Sequence, residues 1–321
     1  MRAIGYPAAA MTLTVVGSIA FDAVETPTGS RDRLLGGAAV HFALTSSFLA
    51  ETRVVGPVGD DFGEAEYAVL HDRGVVTDDI EHVAGGKTFF WAGRYERDPN
   101  VRHTLQTDLN VFESFEPKLS DASRAADTLF LANIHPELQH AVHQQCRQAR
   151  FVALDTMNLW IDITREALLK TIAGVDCLIV NDEELKQLTD EPNLLRAARA
   201  VHELGPRVVI AKQGEHGAGM YTPDGFFGLP AYPTADVVDP TGAGDTFAGG
   251  FMGYVAAHSG EEIGDDLLRR AMAYGTAMAS FNVEAFGSER MQALTGEEIA
   301  DRVAELQRIT RFDAAPVPLR A

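Results

Sequence analysis

The 321-residue sequence contains little cysteine, little positive charge and no long apolar run. Its two cysteines, Cys146 and Cys177, lack any metal-site spacing, so we expect ordinary core residues in a reducing compartment. Acidic side chains number 46 and basic ones 27, and the net charge of -19 would repel the phosphates of nucleic acid. A bilayer span needs ~18 consecutive apolar residues, and no stretch reaches that length. These absences predict a cytoplasmic protein with neither a nucleic-acid nor a membrane partner.

Two common phosphate-binding signatures are also absent. No GxxxxGK[ST] loop occurs, which excludes a Walker A site. A glycine turn does occur at positions 242–244, but the third glycine of a dinucleotide fingerprint would fall at position 247, which is Phe247. An anion at this turn would therefore have to be bound in another way.

Short β-branched runs alternate with helical patterns along much of the chain. The runs are LTVVGSI, TRVVGPVG, TLFLAN, FVALDT, CLIVND and RVVIAKQG. Strand and helix in alternation predict an α/β fold with a parallel sheet covered on both faces. Ligands of such sheets bind beyond the carboxyl ends of the strands, so the polar residues that follow each run are the candidates for a site.

Two segments interrupt this alternation. Residues 87–112 have alternating and aromatic residues without helical periodicity, which predicts extra antiparallel strands outside the main sheet. Residues 23–35 lie between a core strand and a glycine pair and could belong with these extra strands. A long insertion in a compact domain is usually functional or disordered, and this one is too aromatic for disorder. We therefore predict a small lid, with a surface excursion as the alternative.

The turn at 242–244 precedes an apolar, helix-like run and is followed by a carboxylate, Asp245. Backbone N–H groups at a helix N-terminus are unpaired, and the helix dipole favours negative charge there. A carboxylate beside such an anion site suits a base that takes a proton from a hydroxyl attacking a phosphoryl group. The alternative is that Asp245 only caps the helix.

The segment DPTGAGDTFAGGF closely resembles the signature of the ribokinase (PfkB) family of sugar and nucleoside kinases. GSIAFD, LGGAAVHFAL, VGPVGDDFG, NDEE and KQGEHG follow the family's order and spacing, so the resemblance extends from about residue 13 to about residue 310. It implies a doubly wound, mainly parallel sheet with a small β lid in one kinase domain, residues 12–312. Residues 1–11 and 313–321 are then tails.

The resemblance implies an ATP-dependent phosphotransferase that phosphorylates a primary hydroxyl of a sugar. A nucleoside kinase of the same family and a non-catalytic sugar- or nucleotide-binding protein are the alternatives. Asp245 matches the catalytic base, and the backbone of Gly242, Ala243 and Gly244 matches the anion hole. The intact GAGD favours the enzyme, because a binding protein has no need of a base there.

Substrate contacts are expected from the first strand, the glycine pair and the lid. The residues are Asp22, Gly36, Gly37, His41, Trp91, Arg94 and Asn133. His41 departs from the family, which commonly has Asn there, so the substrate pocket is altered, unless His41 is a core residue. Trp91, Arg94 and Tyr95 could contact substrate, pack the lid, or pair two lids in a homodimer.

Nucleotide and ion contacts are implied by the later motifs. The expected ATP residues are Asn181, Glu184, Lys212, Gly214, Gly217 and Thr276, with Glu184 holding Mg²⁺ through water. The resemblance also implies a monovalent-cation site, with K⁺ as the candidate ion, at Asp239, Thr241, Asn282, Ala285 and Gly287. Asp155 and Asn158, in LDTMN, either contact ligand or make a turn, and the sequence does not separate these.

Overall fold

Two β-sheets and the helices packed against the larger one make up the fold in this computed structural model, which describes residues 12–312. The predicted tails, 1–11 and 313–321, lie outside the described residues. The strands are β1 (Thr12–Val16), β2 (Ala20–Thr26), β3 (Gly29–Gly36), β4 (Glu51–Val58), β5 (Val76–His82), β6 (Phe89–Tyr95), β7 (Arg102–Asp108), β8 (Thr128–Leu131), β9 (Phe151–Leu154), β10 (Cys177–Asn181), β11 (Val208–Lys212), β12 (Ala218–Thr222) and β13 (Gly225–Leu229).

Helices connect most of these strands. They are α1 (Ala38–Ser46), α2 (Glu64–Asp72), α3 (Asp121–Arg124), α4 (Pro136–Gln145), α5 (Asn158–Ile163), α6 (Arg165–Ile172), α7 (Asp182–Thr189), α8 (Leu194–Leu204), α9 (Ala243–Ala257), α10 (Asp265–Asn282), α11 (Glu289–Ala293) and α12 (Gly296–Thr310). Short 3₁₀ turns lie at Asn110–Ser114 and Gly214–His216. None of the helices within residues 12–312 is both long and apolar enough to cross a bilayer.

The larger sheet has the strand order β13-β12-β11-β10-β9-β8-β1-β4-β5. All neighbours from β11 to β5 pair in parallel, and β12 and β13 extend the other edge in antiparallel fashion. The predicted doubly wound, mainly parallel α/β fold is therefore confirmed. Each of the six predicted runs contains a strand of this sheet.

Successive side chains of the central strands enter two separate cores. In β10, Cys177 and Ile179 belong to the core that includes α1, α9 and α10, whereas Leu178 and Val180 belong to the core that includes α4, α7 and α8. A strand buried on both faces needs apolar residues at every position, because successive side chains point to opposite faces. This explains the unbroken apolar runs in the sequence.

The smaller sheet has the order β3-β2-β6-β7 and is built from the two segments that interrupt the alternation. Its hairpins β2-β3 and β6-β7 are antiparallel, as predicted, but β2 and β6 are joined in parallel. Asp22 lies inside β2 and not at the carboxyl end of β1, which already ends at Val16. The chain thus leaves the main sheet earlier than expected and presents Asp22 from the small sheet.

Candidate active site

The N-terminus of α9 lies near the carboxyl end of β11, since Gly244 adjoins Lys212, and near the small sheet, since Thr241 bonds to Tyr95. The space between these elements is called the cleft below. Gly242 precedes the helix with φ 77°, a left-handed conformation that favours glycine. A Cβ there would also lie 2.4 Å from the ring of His41. The Ala243 N–H donates to the Pro240 carbonyl at 3.2 Å, whereas no hydrogen bond from residues 12–312 occupies the Gly244 N–H. The turn thus combines an open donor with the positive end of a long helix, which suits an anion.

Asp245 is the third residue of α9 but does not cap it. In α2 and α12 the acidic residue at the same position accepts a hydrogen bond from the backbone N–H before the helix: Glu66 from Gly63 at 2.8 Å and Glu298 from Thr295 at 2.9 Å. Within the described part of the chain, the Asp245 carboxylate makes no such bond. Asp245 therefore forms no capping box: its carboxylate accepts from its own N–H and leaves the N–H before the helix unbonded, although an acidic residue in the first turn still suits the helix dipole.

Asp245 belongs to a buried cluster with two further carboxylates and one lysine. Lys212 Nζ lies 3.6 Å from Asp155 Oδ2 and would be 2.8 Å from a Cβ on Gly244. Burial raises the pKa of Asp245 to about 6, against the opposing effect of Lys212, although the side chain stays partly open to solvent. Burial likewise raises the pKa of Asp155 and of Glu184. Burial lowers the pKa of Lys212, but the three carboxylates outweigh it, so the lysine remains charged.

Adjacent parallel strands bring this cluster together. Asp155 follows β9, Asn181 ends β10 and Lys212 ends β11, and Asn181 and Lys212 are register partners. Their side chains meet because the carboxyl ends of parallel strands share one edge of the sheet. Glu184 is also part of a capping box, since its Oε2 accepts from Asn181 N–H at 2.9 Å. The NDEE segment is thus both a helix start and a source of one site carboxylate.

The cluster carries more negative than positive charge, which suits a cation-bound polyphosphate. Three carboxylates face one ammonium group in a poorly solvated place. Within residues 12–312, however, no group of three His, Cys, Asp or Glu side chains is arranged to hold a metal ion directly. Such a set fits a Mg²⁺ ion that takes most of its ligands from phosphate oxygens and water.

On the other side of the cleft, the glycine pair accommodates Asp22. A Cβ on Gly36 would lie 2.0 Å from Asp22 Oδ2, and Gly37 begins α1 with φ 92°, where a Cβ would be 2.4 Å from the Ser18 carbonyl oxygen. Burial raises the pKa of Asp22 to about 7, and the Gly37 N–H offsets only part of this. Asp22 is therefore held rigidly beside the glycine pair and can act as donor or acceptor near neutral pH.

His41 lies on α1 beneath the glycine turn of α9. It is buried, and among the described residues neither ring nitrogen has a hydrogen-bond partner. Asn282 adjoins the ring, but its amide is already engaged with Thr246 Oγ1 and the Thr241 carbonyl. Burial lowers the pKa of His41, so the ring is neutral. The structure places His41 behind the anion turn, which is deeper than a position lining an open substrate pocket.

The small sheet presents one face to the cleft. The Thr241 hydroxyl donates a hydrogen bond to the Tyr95 hydroxyl oxygen at 3.1 Å. Trp91 lies four residues before Tyr95 in β6 and is therefore on the same face, because alternate residues of a strand share a face. Arg94 has the opposite orientation and is exposed, so the structure does not bring it to the site. Asn133 is only partly available, because its Oδ1 accepts from Trp160 Nε1 at 2.9 Å.

Two glycines of the predicted nucleotide loop adopt positive φ angles, which favour glycine over other residues. Gly214 and Gly217 have φ 54° and 94°. A Cβ on Gly217 would lie 2.0 Å from the Leu229 carbonyl oxygen, and one on Gly214 would lie 2.5 Å from Asn100 Oδ1 in the turn between β6 and β7. Thr276 is buried on α10, and its hydroxyl finds no partner within residues 12–312.

The predicted cation loops do come together. Asp239 is fully buried and accepts from Thr241 N–H and Gly287 N–H, each at 2.9 Å. Asn282 Nδ2 donates to the Thr241 carbonyl at 2.7 Å. Ala285 lies between these residues in the second loop and is partly buried. Asp239 thus fastens the two loops behind the anion turn.

Asp155 is the site residue that the sequence left undecided. Its position after β9 matched the rule for strand ends, yet a turn was an equal explanation. The partner that decides between them, Lys212, is 57 residues away in sequence and becomes a neighbour only through the pairing of β9, β10 and β11.

Comparison with known proteins gives consistent results. The family model described as pfkB family carbohydrate kinase matches residues 12–293. A cytidine kinase of Thermococcus kodakarensis is 31% identical over 266 residues, which cover 78% of this chain and 91% of the relative. A nucleoside kinase of Methanothermobacter thermautotrophicus is 27% identical over 303 residues, covering 89% and 94%. The structure of a Burkholderia thailandensis nucleoside kinase in complex with inosine is similar in fold, with a TM-score of 0.74 at 20% identity, covering 91% and 97%.

Proposed function

The chain belongs to the PfkB family of carbohydrate kinases, and from that premise we propose that its phosphate acceptor is a nucleoside. Family and relatives support ATP-dependent phosphorylation of a sugar or a nucleoside, and they favour the enzyme over a non-catalytic binding protein. The sequence alone favoured a sugar. The relatives named for cytidine and for nucleosides favour its alternative.

Trp91 supports the choice of a nucleoside. It is the register partner of Asp22 on the cleft face of the small sheet. Its ring lies over Gly93, where a Cβ would be 2.1 Å from the ring, and the Arg102 guanidinium carbon lies 5.6 Å from the ring centre. The side chain is only partly buried, so part of an aromatic face is open. A nucleoside has a flat base that can stack on such a face, whereas a free sugar does not. Asp22 would hydrogen-bond the ribose while Trp91 contacts the base.

The uncapped carboxylate of Asp245 carries the proposed mechanism. The acceptor's primary hydroxyl oxygen attacks the γ-phosphorus of ATP, a new O–P bond forms, and the bond from that phosphorus to the β–γ bridging oxygen breaks to release ADP. Asp245 accepts the hydroxyl proton. The open N–H groups of the α9 turn, including that of Gly244, hold the oxygens of the transferred group.

Lys212 and the carboxylates act on the phosphate side of the cleft. Lys212 is held charged beneath the turn and neutralises part of the polyphosphate charge. Mg²⁺, when bound, would shield the phosphate charge from the acidic cluster. Glu184 would orient a water of that shell and is itself fixed by Asn181, whose Oδ1 accepts from the Glu184 N–H at 2.7 Å.

ADP release with a panel of nucleosides and sugars tests the proposal. We expect cytidine and other nucleosides to give the highest kcat/KM, ribose and fructose much lower values, and ATP hydrolysis without acceptor to be slow. Asp245→Asn is the matched control for contaminating kinases. Efficient turnover of a free sugar with none of any nucleoside would reject the nucleoside assignment and leave the kinase chemistry in place.

The loops fastened by Asp239 support a second proposal, a monovalent cation behind the anion turn. Carbonyl oxygens of the second loop, near Ala285, would serve as ligands together with Asp239. Replacing K⁺ by a large organic cation at constant ionic strength should lower kcat. An unchanged kcat would remove the cation and leave the acceptor assignment untouched.

The small sheet also supports a homodimer. Among residues 12–312, its outer strands, β3 and β7, have no neighbour on one side, and exposed strand edges favour pairing with another chain. Leu105 of β7 is 58% exposed. Light scattering should give twice the chain mass, and Leu105→Glu should shift it toward the monomer. The cytoplasmic location stays a prediction from composition.

A further inference from the structure

Arg102 begins β7 and faces the cleft because of an irregularity in the small sheet. The register between β6 and β7 pairs Ala92 with Gln106 but Gly93 with Thr104, so Leu105 is an extra residue. As a result Arg102 becomes the partner of Tyr95. Partners in a sheet point to the same face, and Tyr95 is on the face that contacts the anion turn.

Two contacts fix the position of this arginine over the cleft. On one side the Tyr95 hydroxyl bonds to Thr241, one residue before the glycine turn. On the other side Asn100 contacts the nucleotide loop, since its Oδ1 would be 2.5 Å from a Cβ on Gly214. Arg102 lies between these contact points. The start of β7 therefore spans the gap between the anion turn and the nucleotide loop.

The guanidinium group is available for an anion. The Arg102 side chain is exposed, lies beside the Tyr95 hydroxyl, and is 5.6 Å from the centre of the Trp91 ring. It makes no ion pair with any of the residues from 12 to 312. Its charge nevertheless acts on the carboxylates of Asp245 and Glu184, whose pKa values it lowers slightly against the dominant effect of burial. An arginine that hydrogen-bonds to the Tyr95 hydroxyl, but has no ion pair within residues 12–312, therefore faces the two carboxylates nearest to the predicted phosphates.

We propose that Arg102 contacts the transferred phosphoryl group from the side opposite the α9 N-terminus. The proposal rests on the kinase function above. While the acceptor oxygen binds to phosphorus and the bond to ADP breaks, negative charge is spread over three equatorial oxygens. The Gly244 N–H reaches one side of this group, and a planar guanidinium can bind two oxygens from the other. The proton still goes to Asp245, so Arg102 supplies charge and geometry only.

Three variants test this role by turnover. Arg102→Ala should lower kcat by about 100-fold or more, as for other arginines that stabilise phosphoryl transfer, with the acceptor KM within about threefold. Arg102→Lys keeps the positive charge but loses the planar guanidinium group, so its kcat should lie between that of Arg102→Ala and that of wild type. Arg97→Ala, in the same hairpin and exposed, is the matched control and should retain wild-type kcat. Millimolar guanidinium should restore part of the Arg102→Ala rate, which would not happen if the side chain only supported the sheet.

Binding of Mg·ADP with aluminium fluoride, a mimic of the transferred phosphoryl group, gives a second measurement that needs no acceptor. Calorimetry should show this complex at least about 10-fold weaker for Arg102→Ala, while ADP alone binds as to wild type. Equal affinity for the mimic, or a loss confined to the acceptor KM, overturns the inference. If the wild-type protein binds the mimic but phosphorylates no nucleoside, the nucleoside assignment is wrong. The calorimetry then decides the role of Arg102 by itself. Wild type that binds neither ATP nor the mimic would reject both.

Discussion

Replacing Asp245 by Asn should inactivate the protein and at the same time stabilise its fold. The amide keeps the size and polarity of the carboxylate but cannot accept the hydroxyl proton. General-base catalysis contributes about 10²–10⁴-fold, so we expect kcat to fall by at least 100-fold. Affinity for ATP should change little, because the N–H groups of the α9 turn and Lys212 remain.

The stability gain follows from the burial of an ionised group. Burial raises the pKa of Asp245 from 3.8 to about 6. At pH 8 this corresponds to about 3 kcal/mol of destabilisation, which partial exposure reduces to about 1–2 kcal/mol. For a chain of this size that is about 1.5–3 °C in Tm. Because the folded-state pKa is raised, wild type loses stability as pH rises from about 4 to 6, so the advantage of Asn should disappear in acid and be complete above pH 6.

The test measures Tm of wild type and of Asp245→Asn by differential scanning calorimetry between pH 4 and pH 8. The kcat of both proteins is measured from ADP release. Glu66→Gln is the control, because Glu66 occupies the same position in α2 and does cap its helix. That variant should be slightly destabilised at pH 8, by about 0.3–1 kcal/mol. If Asp245→Asn behaved like Glu66→Gln in stability and kept near-normal kcat, Asp245 would be a helix-start residue and the mechanism above would be wrong.

Three further predictions address the remaining parts of the site. The kcat/KM of wild type should fall below about pH 6, because Asp245 must be ionised to act as base, and a rate independent of pH down to 5 would argue against it. Gly36→Ala places a Cβ 2.0 Å from Asp22 Oδ2, so the acceptor KM should rise by about 10-fold or more with little change in the KM of ATP, in contrast to an exposed Gly260→Ala control, which has open space around it. Trp91→Ala should raise the KM of nucleosides more than that of ATP, and an unchanged nucleoside KM would separate Trp91 from the acceptor.

Several features of this protein could be predicted from the sequence because they depend on local chemistry. Short β-branched apolar runs that alternate with helical patterns are typical of strands buried on two faces, so they predicted the parallel sheet. A glycine turn before an apolar helix favours open N–H groups, and the open Gly244 N–H agrees with the anion site that the sequence predicts at 242–244. The strand β5, VTDDIEH, lacks such a signal, because an edge strand is half solvated and tolerates polar residues.

The tertiary structure decided which distant side chains share the site. Whether Asp245 caps its helix depended on a hydrogen bond that the sequence pattern allows but does not impose. The pairing of Asp155 with Lys212 depended on strand order. The orientation of Arg102 toward the cleft depended on one extra residue in β7, Leu105. Without this β-bulge Tyr95 would pair with His103, and Arg102 would point away from the cleft. Side chains alternate along a strand, so a register shift of one residue reverses every face, and register is set by contacts between strands that no local pattern contains.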